Sequence, residues 1–178
     1  MRTQKNRLPR LAQATLLTLI SCTTVVAKKV KVTLQDIKSM CSTLHTNIVA
    51  DNFVPDVIIG LSRGGLMPLS FLAGEANFNN RNTRIINIQS YNDNRSQETL
   101  QLTFPIHTQD LQHFSSILIV DDLVDSGNSL DFVLKALKGR LPNATIKTAV
   151  LFYKKSSKIM PDYFVEETSD WIVFPWEK

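Results

Sequence analysis

Asp121, Asp122 and Asp125 crowd into five positions, directly after the apolar run Ile117-Leu118-Ile119-Val120. Such a mostly β-branched run reads as a buried strand of a parallel sheet, with the acidic pair where the strand ends. Asp125-Ser126-Gly127-Asn128-Ser129 then makes a small polar turn, and an amphipathic stretch from Leu130 to Leu137 reads as a helix. Loop amides at a helix N-terminus point at an anion. Gly127 and its small neighbours let that anion approach the backbone closely, and the Ser126 and Ser129 hydroxyls add donors. This is a cup for a phosphate monoester. The acidic pair would repel that phosphate, so it must serve another part of the ligand, either by accepting hydrogen bonds from vicinal hydroxyls or by helping to hold Mg²⁺. A phosphate beside a diol describes a sugar phosphate. An ordinary strand–helix turn, with Asp and Ser as helix caps, accounts for one such carboxylate but not for all of them.

A second Gly-rich turn, Ile59-Gly60-Leu61-Ser62-Arg63-Gly64-Gly65, also follows an apolar strand and opens a helix. Ser62 and Arg63 offer donors to an anion, and an Arg fork grips phosphate bidentately. Alone, this turn reads equally well as a tight connection with a solvated Arg. Beside the first turn, it supplies a second anion cup.

The elements that must position these turns alternate. A helix starts at Thr33, its N-cap, with Asp36 near the positive end. It runs to about Asn52, with Ile37, Met40, Cys41, Leu44 and Ile48 as its apolar stripe. Val57–Ile59 reads as a strand, Leu66–Ala76 as a helix, Thr83–Ser90 and Thr99–Ile106 as strands, and Thr145–Tyr153 as another. Strands alternating with helices predict an α/β fold with a parallel sheet and ligands at the strand carboxyl ends. The strand–loop–strand at 83–106, with its polar tip 91–97, interrupts the alternation and predicts an antiparallel flap. Trp176 reads as a core aromatic. His107 and His113 have no evident role.

The segment ILIVDDLVDSGNS resembles the phosphoribosyl-pyrophosphate (PRPP) motif of the type I phosphoribosyltransferases, and every key position fits. Ser62-Arg63-Gly64-Gly65 resembles the pyrophosphate loop of purine-specific members, often with a cis peptide between the first two residues. The resemblance spans roughly residues 30–177. It implies a central, mostly parallel sheet flanked by helices, with a flexible antiparallel flap and a small C-terminal hood. Within the family the chain is most like the xanthine–guanine and hypoxanthine phosphoribosyltransferases. There a Lys donates to the purine 6-oxo oxygen and an aromatic ring stacks on the base; Lys154 and Trp171 match, with Lys155 as the alternative Lys. Main chain at Trp171 and Ile172 is implied at the purine 2-position. The implied reaction transfers the ribosyl group of PRPP to a 6-oxopurine. Ser62, Arg63 and Gly64 would hold pyrophosphate; Ser126, Gly127, Asn128 and Ser129 the 5′-phosphate; and Asp121 and Asp122 the ribose hydroxyls and Mg²⁺, directly or through water. Asp125 would be the catalytic base, and loop 91–97 a lid against water. The family also implies a homo-oligomer, dimer or tetramer. A non-catalytic PRPP or nucleotide-binding regulator on the same fold is the alternative.

Charge divides the chain in two. Residues 1–31 carry seven Lys/Arg and no acidic residue, whereas residues 32–178 carry thirteen Lys/Arg against sixteen Asp/Glu, a net charge of −3. The second part lacks a basic stripe with interleaved aromatics, which argues against nucleic acid as a partner. Residues 1–29 read as a basic, apolar leader ahead of a domain at 30–178. Val25-Val26-Ala27 reads as a small-residue cleavage site, and Leu19-Ile20-Ser21-Cys22 weakly resembles a lipoprotein attachment site. An extension from an upstream start codon and a helix packed on the domain are the other readings. The apolar stretch, dotted with Thr, Ser and Gln, does not read as a stable membrane span. A phosphorylated sugar substrate points to the cytoplasm; export or lipid anchoring through residues 1–27 is the alternative. The domain keeps one cysteine, Cys41, which excludes a disulfide framework or a Cys-based zinc site.

Overall fold

A computed structural model describes residues 27–78, 81–93, 97–103 and 108–177. Its strands are β1 (Lys29–Lys31), β2 (Val57–Ser62), β3 (Asn82–Asp93), β4 (Gln97–Thr103), β5 (Ser116–Val124), β6 (Thr145–Tyr153), β7 (Tyr163–Glu167) and β8 (Trp171–Val173). Its α-helices are α1 (Leu34–Ala50), α2 (Leu66–Ala73) and α3 (Asn128–Arg140). Six strands form one sheet in the order β4-β3-β2-β5-β6-β7, and β1 pairs with β8 in a separate two-stranded sheet. All pairings in the large sheet are parallel except β3 with β4.

The apolar pattern explains the layering. Ile37, Cys41, Leu44 and Ile48 of α1 join Leu69 and Leu72 of α2 in one core cluster. Leu130, Val133 and Leu137 of α3 belong to a second cluster on the opposite face. The start of α1 is a complete capping box: Thr33 Oγ1 accepts from the Asp36 amide at 3.1 Å, and the Asp36 carboxylate accepts from the Thr33 amide at 2.8 Å.

The main departure from the sequence-based boundaries is at β5. It does not stop at Val120 but runs on to Val124, so the acidic pair lies inside the strand. The parallel ladder with β6 continues through Asp121↔Val150, Leu123↔Phe152 and Val124↔Tyr153, and that partner keeps a polar segment extended. The flap is a longer ribbon than expected, with β3 reaching Asp93. The middle of the expected tip at 91–97 (residues 94–96) and the end of the expected strand at 99–106 (residues 104–106) lie outside the described residues, as does His107. The short strands β7 and β8 add to the elements expected from the sequence. Most of the expected leader also lies outside the described residues, but Lys29, at its end, opens β1. Among the described residues, no helix is long and apolar enough to cross a membrane.

Candidate active site

The order of the strands creates the site. β2 and β5 are parallel neighbours. The chain leaves β2 for α2 on one face of the sheet and leaves β5 for α3 on the other. The two turns therefore separate at a topological switch point, and the crevice between them opens at the strand carboxyl ends. Both Gly-rich turns from the sequence lie there. The Ser62–Arg63 peptide is cis. Gly64 is required by close approach, because a Cβ there would overlap the Asp122 carboxylate. Ser62, Arg63, Gly64, Asp121, Asp122 and Trp176 line much of a cavity of about 260 Å³.

A second cavity, of about 130 Å³, is formed by the turn after β5, from Asp125 to Ser129, with Asp121 on its border. Gly127 has φ of 79° and immediately precedes α3, a left-handed conformation that favours glycine. Ser126 Oγ accepts from the Asn128 amide at 3.3 Å. The turn is braced from behind by the segment after β6. The Lys158 amide donates to the Ser126 carbonyl at 3.2 Å, and Lys158 Nζ pairs with Asp131 at 2.7 Å. A side chain at position 127 would collide with Ser157.

A third group sits beside this turn. Lys154 Nζ lies 3.1 Å from Asp125 Oδ2 and 5.9 Å from the centre of the Trp171 ring. The Lys154 amide donates to the Val124 carbonyl at 2.9 Å, which ties the end of β6 to the end of β5. Lys155, the alternative, points outward, with a side chain 83% exposed and Glu167 at 4.0 Å. Trp171 is 57% exposed, unusual for so large an aromatic ring, whereas Ile172 is buried in the core and has only its main chain to offer a ligand. Trp171 is held by β1, which pairs with β8, and by the residue before it: the Trp171 amide donates to the Lys28 carbonyl at 2.7 Å, and the Lys28 amide donates to Asp170 at 2.9 Å. His113 is exposed and remote from these groups, packed on Phe114.

The acidic pair divides its attention. Successive strand residues point to opposite faces. Asp122 faces Gly64 and Trp176, while Asp121 borders both cavities. Burial, and then the neighbouring Asp122 charge, push the Asp121 carboxyl well above the usual carboxylate range. Burial pushes Asp122 up to about 6, against the opposing pull of the Leu123 amide and the Trp176 indole. Two half-buried carboxylates that resist ionisation together suit a cation or hydroxyl donors. No cluster of three or more metal-ligating side chains occurs among the described residues. A carboxylate pair completed by water and ligand oxygens is nevertheless what Mg²⁺ commonly accepts.

Sequence reasoning assigned Trp176 to the core and missed its place here. Its ring does pack on the core, stacked on Phe174 with centroids 4.9 Å apart, but its Nε1–H reaches Asp122 Oδ2 at 3.3 Å. No local pattern distinguishes such an indole from a buried one.

The family model for the phosphoribosyl transferase domain matches residues 27–177. The chain belongs to the phosphoribosyltransferase family. This phosphoribosyltransferase is 37% identical over 123 residues to the xanthine-guanine phosphoribosyltransferase of Idiomarina loihiensis, covering 67% of this chain and 70% of that one. Among solved structures it is similar to a purine phosphoribosyltransferase from Pyrococcus horikoshii, with a TM-score of 0.74 and 34% identity over 84% of this chain and 95% of the other. The xanthine-guanine-hypoxanthine phosphoribosyltransferase of Helicobacter pylori gives a TM-score of 0.72 at 30% identity, covering 84% and 94%. The central parallel sheet flanked by helices is thus the type I phosphoribosyltransferase fold, with the two Gly-rich turns on its adjacent middle strands.

Proposed function

We propose that this phosphoribosyltransferase moves the 5-phosphoribosyl group of PRPP onto a 6-oxopurine (xanthine, guanine or hypoxanthine) and releases pyrophosphate, a purine salvage reaction. It is supported above all by the placement of two anion cups on adjacent strands, with the Lys154–Asp125 pair and the exposed Trp171 ring beside one of them. PRPP carries an anion at each end and a diol between, and the crevice offers the complementary order.

The residues divide the work. Ser126, Gly127, Asn128 and Ser129 take the 5′-phosphate, and Ser62, Arg63 and Gly64 the pyrophosphate. Asp121 and Asp122 hold the ribose hydroxyls and are also the groups that would hold Mg²⁺, whose charge offsets that of the leaving pyrophosphate. A purine nitrogen bonds to C1 of the ribose as the C1–O bond breaks, and the electron pair leaves with pyrophosphate. Donors at Arg63 and the loop amides stabilise the charge that develops there. The purine 6-oxo oxygen and its imidazole N–H lie on one edge of the base. A donor and an acceptor side by side, Lys154 and Asp125, complement that edge. Asp125 accepts the imidazole proton as general base, and Trp171 offers its exposed face for stacking.

A substrate of this kind is cytoplasmic, which favours that compartment over export through residues 1–27. The apolar α2, with Leu66 exposed, and the exposed Ile85 favour assembly into a homo-oligomer, dimer or tetramer.

The test is an assay of the full chain with PRPP, Mg²⁺ and each of xanthine, guanine, hypoxanthine and adenine. Conversion of a 6-oxopurine to its monophosphate, with adenine left unchanged, is the expected result. No conversion of any base, with PRPP still bound in calorimetry, would replace the enzyme by a nucleotide-binding regulator.

A further inference from the structure

We infer that Trp176 is a positioning residue for Asp122: its indole N–H holds that carboxylate against the Ser62–Gly65 turn, so that the C-terminal turn completes the PRPP groove. The inference rests on the PRPP reading of that groove and adds a residue to it.

The ring is fixed before any ligand arrives. Its stacking partner Phe174 is 3% exposed and meets Phe152 edge-on at 5.9 Å. The turn that carries the indole closes on itself, with the Glu177 amide donating to the Phe174 carbonyl at 3.1 Å and the Phe174 amide donating to Glu177 Oε2 at 3.3 Å. A donor mounted on this support delivers its N–H to one place.

Asp122 takes this donor in addition to the Leu123 amide. Its carboxylate fills the space that Gly64 leaves open, and on the other side Trp176 Nε1 meets Oδ2 at 3.3 Å. The hydrogen bond engages Oδ2, while Oδ1 is the carboxylate atom nearest to the space that Gly64 leaves open. The chemistry of the donor matters as much as its position. An indole donates one hydrogen bond and cannot accept one. It is also neutral, so it orients the carboxylate without cancelling the charge needed by the ligand. A Lys or Arg in its place would pair with Asp122 and compete for the same oxygens. Within this arrangement Gly64, Asp122 and Trp176 join three segments of the chain, and the pyrophosphate turn is linked to the C-terminus through one carboxylate.

The decisive experiment is calorimetric binding of PRPP with Mg²⁺ to four full-length proteins: wild type, Trp176→Phe, Asp122→Ala and the double variant. KM values for base and PRPP are measured alongside. Trp176→Phe is expected to weaken PRPP binding about tenfold, equivalent to about 1.4 kcal/mol, with the KM for base unchanged. In the Asp122→Ala background the same change is expected to do nothing further, because the indole would have no carboxylate left to hold. Equal weakening in both backgrounds, or wild-type affinity in Trp176→Phe, would overturn the inference. If Trp176→Phe does not fold, benzothienylalanine at position 176, which keeps the bicyclic shape and replaces N–H by S, makes the same comparison. Failure of wild type to bind PRPP at all would instead remove the PRPP reading, and this inference with it.

Discussion

Lys154 and Asp125 are salt-bridged at 3.1 Å although they belong to turns 29 residues apart in the chain. The pair is asymmetric. The Lys154 side chain is 16% exposed and that of Asp125 is 59% exposed, so the cation is held beneath Trp171 while the carboxylate faces the opening. Under the proposed function, a base would meet the acceptor on the open side and the donor behind it.

Asp125→Asn should lower turnover by about 10²–10⁴-fold, the usual worth of a general base, with PRPP affinity close to wild type. Lys154→Ala should act differently. Loss of a charged donor to the oxo group should weaken the apparent affinity for xanthine, guanine or hypoxanthine by about tenfold or more, with PRPP binding unaffected. Steady-state kinetics and calorimetry on both variants separate the two roles. An equal loss of turnover and PRPP affinity in Asp125→Asn would point to a phosphate-loop defect instead.

Gly127→Ala tests the proposed 5′-phosphate role of the Ser126–Ser129 turn. A Cβ there meets a positive φ and the Ser157 side chain together. Left-handed backbone alone costs about 1–2 kcal/mol for a residue with a Cβ. The melting temperature should fall by several degrees, and ribose 5-phosphate should no longer compete with PRPP. Thermal melts and a competition assay read the two effects independently.

Asp122 makes the ligand-free protein pH-sensitive in a defined direction. Its carboxyl is raised from 3.8 to about 6 in the fold, chiefly by burial. A proton is therefore bound more tightly by the folded than by the unfolded chain. This group's contribution to stability is present below about pH 4, is lost as the pH rises towards 6, and is flat above. Asp122→Asn removes the penalty. At pH 7.5 the ligand-free variant should be more stable than wild type by roughly 1–3 kcal/mol, the value of a two-unit rise discounted for partial solvent access. The difference should vanish near pH 4. Melts at the two pH values check this; a variant less stable than wild type at pH 7.5 would contradict it.

Strand β1 should matter for the base and not for PRPP, because its ladder runs along β8, which carries Trp171. A chain beginning at Lys28 should keep both KM values. One beginning at Val32 loses the Lys28 contacts to Trp171 and Asp170, and its KM for base should rise several-fold at unchanged PRPP affinity. A parallel loss of both affinities would mean that the segment supports the whole fold rather than the hood.

What the sequence determined by itself was local in origin. The Asp125–Ser129 turn and the Ser62–Gly65 turn were legible because a strand, a Gly-containing turn and a helix start are written in consecutive residues. The start of α1 was legible because Thr33 and Asp36 cap each other three residues apart. Tertiary structure decided what depends on partners far along the chain. The extension of β5 through its aspartates comes from the ladder with β6. The contact between Trp176 and Asp122 spans 54 residues, and that between Lys28 and Asp170 spans 142. An indole stacked in a core and an indole whose N–H meets a carboxylate have the same sequence signature. Only the packing of Phe174, Gly64 and β5 separates them, because a hydrogen bond depends on where the donor is held and not on the residue type alone.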